Sequence, residues 1–212
     1  MLRIVSTPPV ERPGTRARLV DAAAELFSRH GYAATGVKAV LAAADAPYGS
    51  LYHFFPGGKQ ELGVAVVERG GEVYRQLVEA LYPPDVDVVA ATEAAFADAA
   101  LLLEETDYAD ACPIATIALE VASSDEPMRR AAAAGFASWL DVLEQRFTAA
   151  GMTPERAAAV AVELFCLLEG AFLLGRTTRS AAPLRTVGRA AAARVADGLS
   201  AGRQERPRRR TR

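Results

Sequence analysis

Pro47-Tyr48-Gly49-Ser50-Leu51-Tyr52-His53-Phe54-Phe55-Pro56-Gly57-Gly58-Lys59 is the stretch on which the reading of the chain turns. Proline suits the first position of a helix, where its missing N–H would be unpaired anyway, and the Pro-Gly-Gly step stops what it starts. Between them lies a helix of about two turns, dense in aromatic side chains. Immediately upstream, Thr35 is placed to cap a second short helix with apolar positions Val37, Val40, Leu41 and Ala44, ended by Asp45-Ala46-Pro47. Upstream again, Thr15 can cap a longer helix whose apolar face is Leu19, Ala22, Ala23, Leu26, Phe27 and His30, with Gly31 as its left-handed stop. Three helices in so short a span, the last two joined by a tight turn, describe a helix-turn-helix unit.

Downstream, Lys59 to Leu81 reads as a longer helix with Leu62, Val66, Val73, Leu77 and Leu81 on its apolar face and Pro83-Pro84 as its stop. Gly70-Gly71 in its middle costs about 1 kcal/mol per residue relative to alanine, so it marks either close packing or a bend between modules. Further helices are expected at Val86–Thr106, Pro113–Ala122, Glu126–Ala150, Pro154–Arg176 and Pro183–Ala201. No sustained period-two apolar pattern interrupts them. The expected fold is all-α with about nine helices: an arm over 1–14, a helix-turn-helix domain over 15–62, a helical ligand-binding and dimerisation domain over 63–202, and a basic disordered tail over 203–212.

The chain has 212 residues and a formal net charge of −2, which by itself argues against a nucleic-acid binder. Divided along the chain, the charge says otherwise. Residues 1–60 hold seven Lys/Arg against four Asp/Glu, residues 61–200 hold 11 against 21, and residues 201–212 hold six against one. A basic front precedes an acidic body. No uncharged apolar run reaches the ~18 residues of a membrane span, and the Pro-rich start lacks a signal peptide's apolar core, so a cytoplasmic protein without membrane contact is expected. Cys112 and Cys166 read as buried thiols, and two isolated histidines, His30 and His53, do not make a zinc site. Neither a nucleophile elbow, nor an HExxH pair, nor a Walker loop is present; no enzyme activity and no cofactor are expected.

The segment from Thr15 to Leu62 resembles the TetR family of transcriptional regulators. The residues that carry the resemblance are Ala23-x-x-Leu26-Phe27, Gly31-Tyr32-x-x-Thr35-x-Val37, Ala43-Ala44, Gly49-Ser50-Leu51-Tyr52-His53-Phe54-Phe55 and Lys59-x-x-Leu62. Asp45 stands where the family usually has glycine at the turn; aspartate tolerates the left-handed region better than most side chains. The Pro56-Gly57-Gly58-Lys59 loop, one residue longer than the common form, looks like the LmrA-type, multidrug-responsive branch, as does Ala111-Cys112-Pro113-Ile114 followed by Ala118-Leu119-Glu120.

The resemblance implies a homodimeric, ligand-responsive repressor of a pseudo-palindromic operator. The second helix of the motif enters the major groove, so Pro47, Tyr48, Gly49 and Ser50 are expected at base edges. Tyr52, His53, Thr35, Lys38, Lys59 and Arg16 are expected near phosphates, with Arg12 and Arg18 of the arm in support. A small, hydrophobic inducer is expected in a cavity lined by Phe96, Leu103, Ile117, Phe136, Trp139, Leu143, Phe165 and Glu169. Glu120 and Glu163 are alternative polar handles, or partners of Arg146 and Arg176. The dimer is expected to use Leu164, Leu168, Phe172, Gly188, Ala191 and Val195 on the last two helices. The competing reading is an all-α small-molecule-binding protein or enzyme with a vestigial helix-turn-helix.

Overall fold

The computed structural model describes residues 13–109 and 112–205. Among them the chain forms nine helices: α1 (Thr15–His30), α2 (Val37–Ala43), α3 (Ser50–Phe54), α4 (Lys59–Leu81), α5 (Val88–Glu105), α6 (Pro113–Val121), α7 (Glu126–Ala149), α8 (Pro154–Thr178) and α9 (Ala182–Glu205). The all-α expectation holds, with no strand among the described residues. Arg12 and residues 206–212 of the expected tail lie outside the described residues, while α9 extends to Glu205, into the first part of that tail.

The helix starts differ from the expected ones for local reasons. Gly14 and Gly36, rather than Thr15 and Thr35, occupy the caps of α1 and α2. The Thr35 hydroxyl turns back to donate to the Gly31 carbonyl at 2.8 Å, so it fastens the turn instead of capping the next helix. The α3 helix begins at Ser50, three residues after Pro47, because Pro47 accepts the Ser50 N–H at 2.9 Å in a preceding turn. At α5, α7 and α8 the caps are side chains: Asp87 accepts from Val89 and Ala90, Asp125 from Met128 and Thr153 from Arg156.

Two apolar clusters hold the molecule together. The first joins Leu19, Val20, Ala23 and Phe27 of α1 to Val40, Leu41, Leu51, Phe55 and Leu62, then runs on through Ile114 and Ile117 of α6 to Met128 and Trp139 of α7. The second gathers Phe96, Leu103, Phe147, Val160, Leu164, Leu184, Ala191 and Val195 from α5, α7, α8 and α9. The α4 and α7 helices cross at glycines: a Cβ added to Gly71 would stand 3.3 Å from the Gly135 Cα, and Ile114 fills the notch beside Gly70 and Gly135. The Trp139 indole N–H donates to the Gly71 carbonyl at 2.8 Å across the same crossing. Gly70-Gly71 is therefore a close-packing site inside an unbroken helix.

Candidate nucleic-acid interface and ligand cavity

The α2–α3 pair is built around a left-handed turn and one arginine. Asp45 adopts φ +48°, as a residue at a glycine-type turn must. Arg18 closes the turn from α1, donating to the carbonyls of Ala44 at 3.0 Å and Asp45 at 3.2 Å and to Pro13 at 3.0 Å. The expected phosphate role of Arg18 is thus replaced by an internal one. Its side chain ties α1 to the turn between α2 and α3.

Pro47, Tyr48 and Gly49 stand exposed at the head of α3, with Ser50 half-buried behind them. Tyr48 is 67% exposed and Tyr52 56%, large values for aromatic side chains beside an apolar cluster. His53 is exposed with its ring edge-on to Phe54 at 4.7 Å. Leu51 and Phe55 are buried beneath them. Lys38 is exposed on α2, and Arg16 is exposed with its guanidinium 5.2 Å from the Phe55 ring centre. Thr35 does not share this face: it is 4% exposed and its hydroxyl is engaged at Gly31.

Lys59 packs against the turn after α1, where Glu120 of α6 also docks. Its Nζ lies 4.4 Å from the Tyr32 ring centre and donates to the Ala33 carbonyl at 3.3 Å. Burial pushes its ammonium below the usual range, and the Glu120 carboxylate pulls the other way. Glu120, at the end of α6, accepts the N–H of Tyr32 at 2.9 Å and that of Ala33 at 2.8 Å. The sequence singled out Glu120 as a polar handle or as a partner of Arg146 or Arg176. Instead those arginines donate to carbonyls, Arg146 to Tyr82 at 2.7 Å and Arg176 to Tyr108 and Ala109, while Glu163 pairs with Arg194.

A cavity of about 640 Å³ opens between α1, α4, α5, α7 and α8. Phe96, Leu103, Trp139, Leu143, Phe165 and Glu169 line it, six of the eight residues expected there. Ile117 is fully buried in the first apolar cluster, and Phe136 packs edge-on against Trp139 behind the wall. Leu164, Leu168 and Phe172, assigned from sequence to a dimer face, line the cavity as well. Gly188, Ala191 and Val195 are buried within the chain, Gly188 directly against Phe96. The expected dimer residues therefore lie on the inward side of α8 and α9.

The outward side of α8 is what remains free in the single chain. Ala159, Val162, Cys166, Gly170, Leu173, Leu174 and Thr177 recur at steps of three and four and are all exposed. By length and composition α8 could cross a membrane, and only 28% of its most apolar window is buried. The sequence shows this helix to be apolar almost all round; the residues expected at a dimer face lie on its inward side, and this second apolar edge is exposed. Cys166, expected from the sequence to be buried, is exposed on this side, because the neighbouring helices pack on the opposite face of α8.

The α6 helix connects the two regions. Its N-cap Cys112 reaches the cavity wall that Glu169 also lines, and its other end carries Glu120. Burial first, and the neighbouring Glu169 carboxylate next, push the Cys112 thiol up to about 12. Burial likewise raises Glu169, against a lowering by the Cys112 hydrogen bond. Among the described residues no group of three or more His, Cys, Asp or Glu is placed to hold a metal ion.

Residues 19–66 match the family described as "Bacterial regulatory proteins, tetR family", and residues 88–190 match "Transcriptional regulator LmrA/YxaF-like, C-terminal domain". The chain is 37% identical over 181 residues to the uncharacterized HTH-type transcriptional regulator Rv0196 of Mycobacterium tuberculosis, covering 83% of this chain and 91% of that one. It is 30% identical over 173 residues to the uncharacterized HTH-type transcriptional regulator YxaF of Bacillus subtilis, covering 82% and 91%. Among solved structures, reduced Escherichia coli NemR superposes with a TM-score of 0.73 at 26% identity, covering 88% of this chain and 98% of that one. The regulatory protein TetR of Rhodobacter sphaeroides reaches 0.75 at 22% identity, covering 85% and 98%, a likeness of fold.

Proposed function

The chain belongs to the TetR family of bacterial transcriptional regulators, and from that membership we propose that it is a homodimeric repressor of the LmrA-like branch, reading a pseudo-palindromic operator and released by a small apolar molecule. The match of residues 88–190 to the LmrA/YxaF-like C-terminal domain supports the branch, as does 28% identity over 170 residues to the HTH-type transcriptional regulator LmrA of Bacillus subtilis.

The observation that carries the DNA reading is the exposed head of α3. Tyr48 and Tyr52 offer hydroxyls outward, Gly49 permits close backbone approach, and Arg16, Lys38 and His53 border them. In this geometry Pro47 to Ser50 meet base edges while Tyr52, His53, Lys38 and Arg16 meet phosphates. Lys59 reaches a phosphate only by leaving Ala33, and Thr35 contributes its place in the turn rather than its hydroxyl. The reader spans 15–62 and the ligand and dimer region 63–202, with α4 shared by both.

The dimer reading moves to the outward stripe of α8, where Cys166 and Gly170 allow a second helix to approach closely. Two copies then present two α3 helices to successive major grooves about 34 Å apart. Ligand entry into the cavity disturbs the Cys112 end of α6, and Glu120 passes the displacement to the turn that holds the reader. The α4 helix supplies a second, continuous connection.

Selection of bound duplexes from a random pool, followed by fluorescence anisotropy, tests the reading. Tyr48→Ala and Ser50→Ala should each weaken binding to the selected operator by about 1–3 kcal/mol. Unchanged affinity in both would overturn the site. Gly170→Arg should convert the dimer to monomers by sedimentation and abolish tight operator binding; a dimer that survives it would overturn the α8 interface.

A further inference from the structure

The cavity wall is mostly apolar, and Glu169 is its one charged residue that is not exposed. The Cys112 thiol is its polar neighbour, and both side chains line the cavity. The wall carries three carboxyl groups, Glu25, Asp98 and Glu169, against one guanidinium, Arg29, which is tied to Glu25 at 3.1 Å. Glu25, Arg29 and Asp98 are on the solvent side, with exposed side chains. Trp139 and Phe165 pack edge to face at 5.7 Å and, with Tyr74 and Phe172, supply aromatic rings around the remaining space.

We infer that the cavity binds an apolar amine, its protonated nitrogen paired with Glu169 and its hydrocarbon body held against Trp139, Phe165 and Phe172. A carboxylate ligand would place like charges together in a medium of low dielectric constant, and a neutral alcohol would leave the Glu169 charge without a counterion. An ammonium group supplies that counterion, and the faces of aromatic rings attract it further. The thiol of Cys112 yields its place or keeps a second carboxyl oxygen, so ligand entry acts directly on the N-terminal end of α6. The assignment rests on the cavity being the regulatory site proposed above, and it names the ligand class of that site.

Binding releases the Glu169 proton to solvent wherever that carboxyl is protonated in the free protein. The titratable and charged groups around it are Cys112 from α6, Tyr74 from α4, Tyr82 and Asp98 from the α4 end and α5, and Glu25 and Arg29 from α1. Affinity for an amine therefore rises with pH through the Glu169 titration, while affinity for an alcohol does not.

Trp139 is the one tryptophan of the sequence and lines the cavity, so its emission reports occupancy. The full-length protein is titrated near neutral pH with dodecylammonium, 1-dodecanol and dodecanoate, each below its aggregation limit. Dodecylammonium should bind roughly tenfold tighter than the other two, and Glu169→Gln should erase that preference while leaving dodecanol within about twofold. Asp98→Asn and Glu25→Gln should retain the preference. If Glu169→Gln does not fold, the parent protein decides: its dodecylammonium affinity should fall as pH is lowered through the Glu169 titration, with dodecanol unchanged. Equal or tighter binding of dodecanol or dodecanoate, a preference that survives Glu169→Gln, or no binding of any of the three overturns the inference. Operator affinity measured without amine is a separate readout; its absence would overturn the repressor reading and leave amine binding to stand or fall alone.

Discussion

The carboxylate of Glu120 occupies the space in which Gly31 would carry a side chain: a Cβ there would stand 2.4 Å from Oε1. Gly31 adopts φ +83°, so the turn after α1 is shaped for a residue without a side chain and filled by a carboxylate from α6. Gly31→Ala should destabilise the protein by about 1–3 kcal/mol in urea denaturation, through both strain and displacement of Glu120. Glu120→Ala alone should cost about 1 kcal/mol, since water can reach the two freed N–H groups. The double variant should be less damaged than the sum of the two, because the clash is then gone.

The crossing of α4 and α7 is equally intolerant of volume. Gly71→Ala should cost about 1–3 kcal/mol by overpacking against the Gly135 backbone. Trp139→Phe removes the indole donor to the Gly71 carbonyl, which keeps its helical N–H donor, and the same assay should show a loss of about 1 kcal/mol.

Much of this architecture was legible because helix caps and stops are local. The α4 limits, Lys59 to Leu81, follow from Gly58 before and Pro83 after. Tyr48 and Tyr52 were legible as an exposed face because the apolar spacing of the run assigns Leu51 and Phe55 to the interior. What local pattern could not show was which side of an all-round apolar helix faces inward. Leu164, Leu168 and Phe172 differ from Val162, Cys166 and Leu173 only in phase, and phase is set by α7 and α9. Likewise Thr35 has the chemistry of a cap and the position of a turn fastener; the Gly31 carbonyl at 2.8 Å decides between them.

Arg18 and Lys38 should separate geometry from charge in DNA binding. Lys38→Ala should reduce the salt dependence of operator binding by about 0.9 log units per log unit of salt, as one lost phosphate contact does. Arg18→Ala should weaken binding at every salt concentration with little change in that slope, because it releases the Ala44 and Asp45 carbonyls that tie the turn between α2 and α3 to α1. Parallel anisotropy titrations across salt concentrations distinguish them.

Burial of Glu169 carries a stability signature. Its carboxyl titrates above the unfolded value, so the folded state holds the proton more tightly and stability is lost as pH rises through the folded pKa. Glu169→Gln should therefore be more stable than the parent at pH 8, with the difference shrinking toward pH 4 in paired urea melts. A constant difference would show that the carboxyl does not titrate as its burial requires.

The Cys112 thiol, pushed up to about 12 mainly by burial, should be inert. In a Cys166→Ser background the native protein should show no fast-reacting thiol toward Ellman's reagent at pH 8, and one per chain in denaturant. A rapid native equivalent would mean that Cys112 is open to solvent.

The first apolar cluster runs without interruption from α1 through α3 into α6 and α7. The reader thus borrows part of its interior from the body. A chimera that grafts residues 15–62 onto a foreign sensor would leave Phe27, Leu41 and Leu62 facing partners chosen for other side chains. The transferable unit of this protein is larger than its DNA-binding motif: an exchange of specificity that keeps the parent's stability has to move α6 and the first half of α7 together with it, or confine itself to the exposed residues at the head of α3.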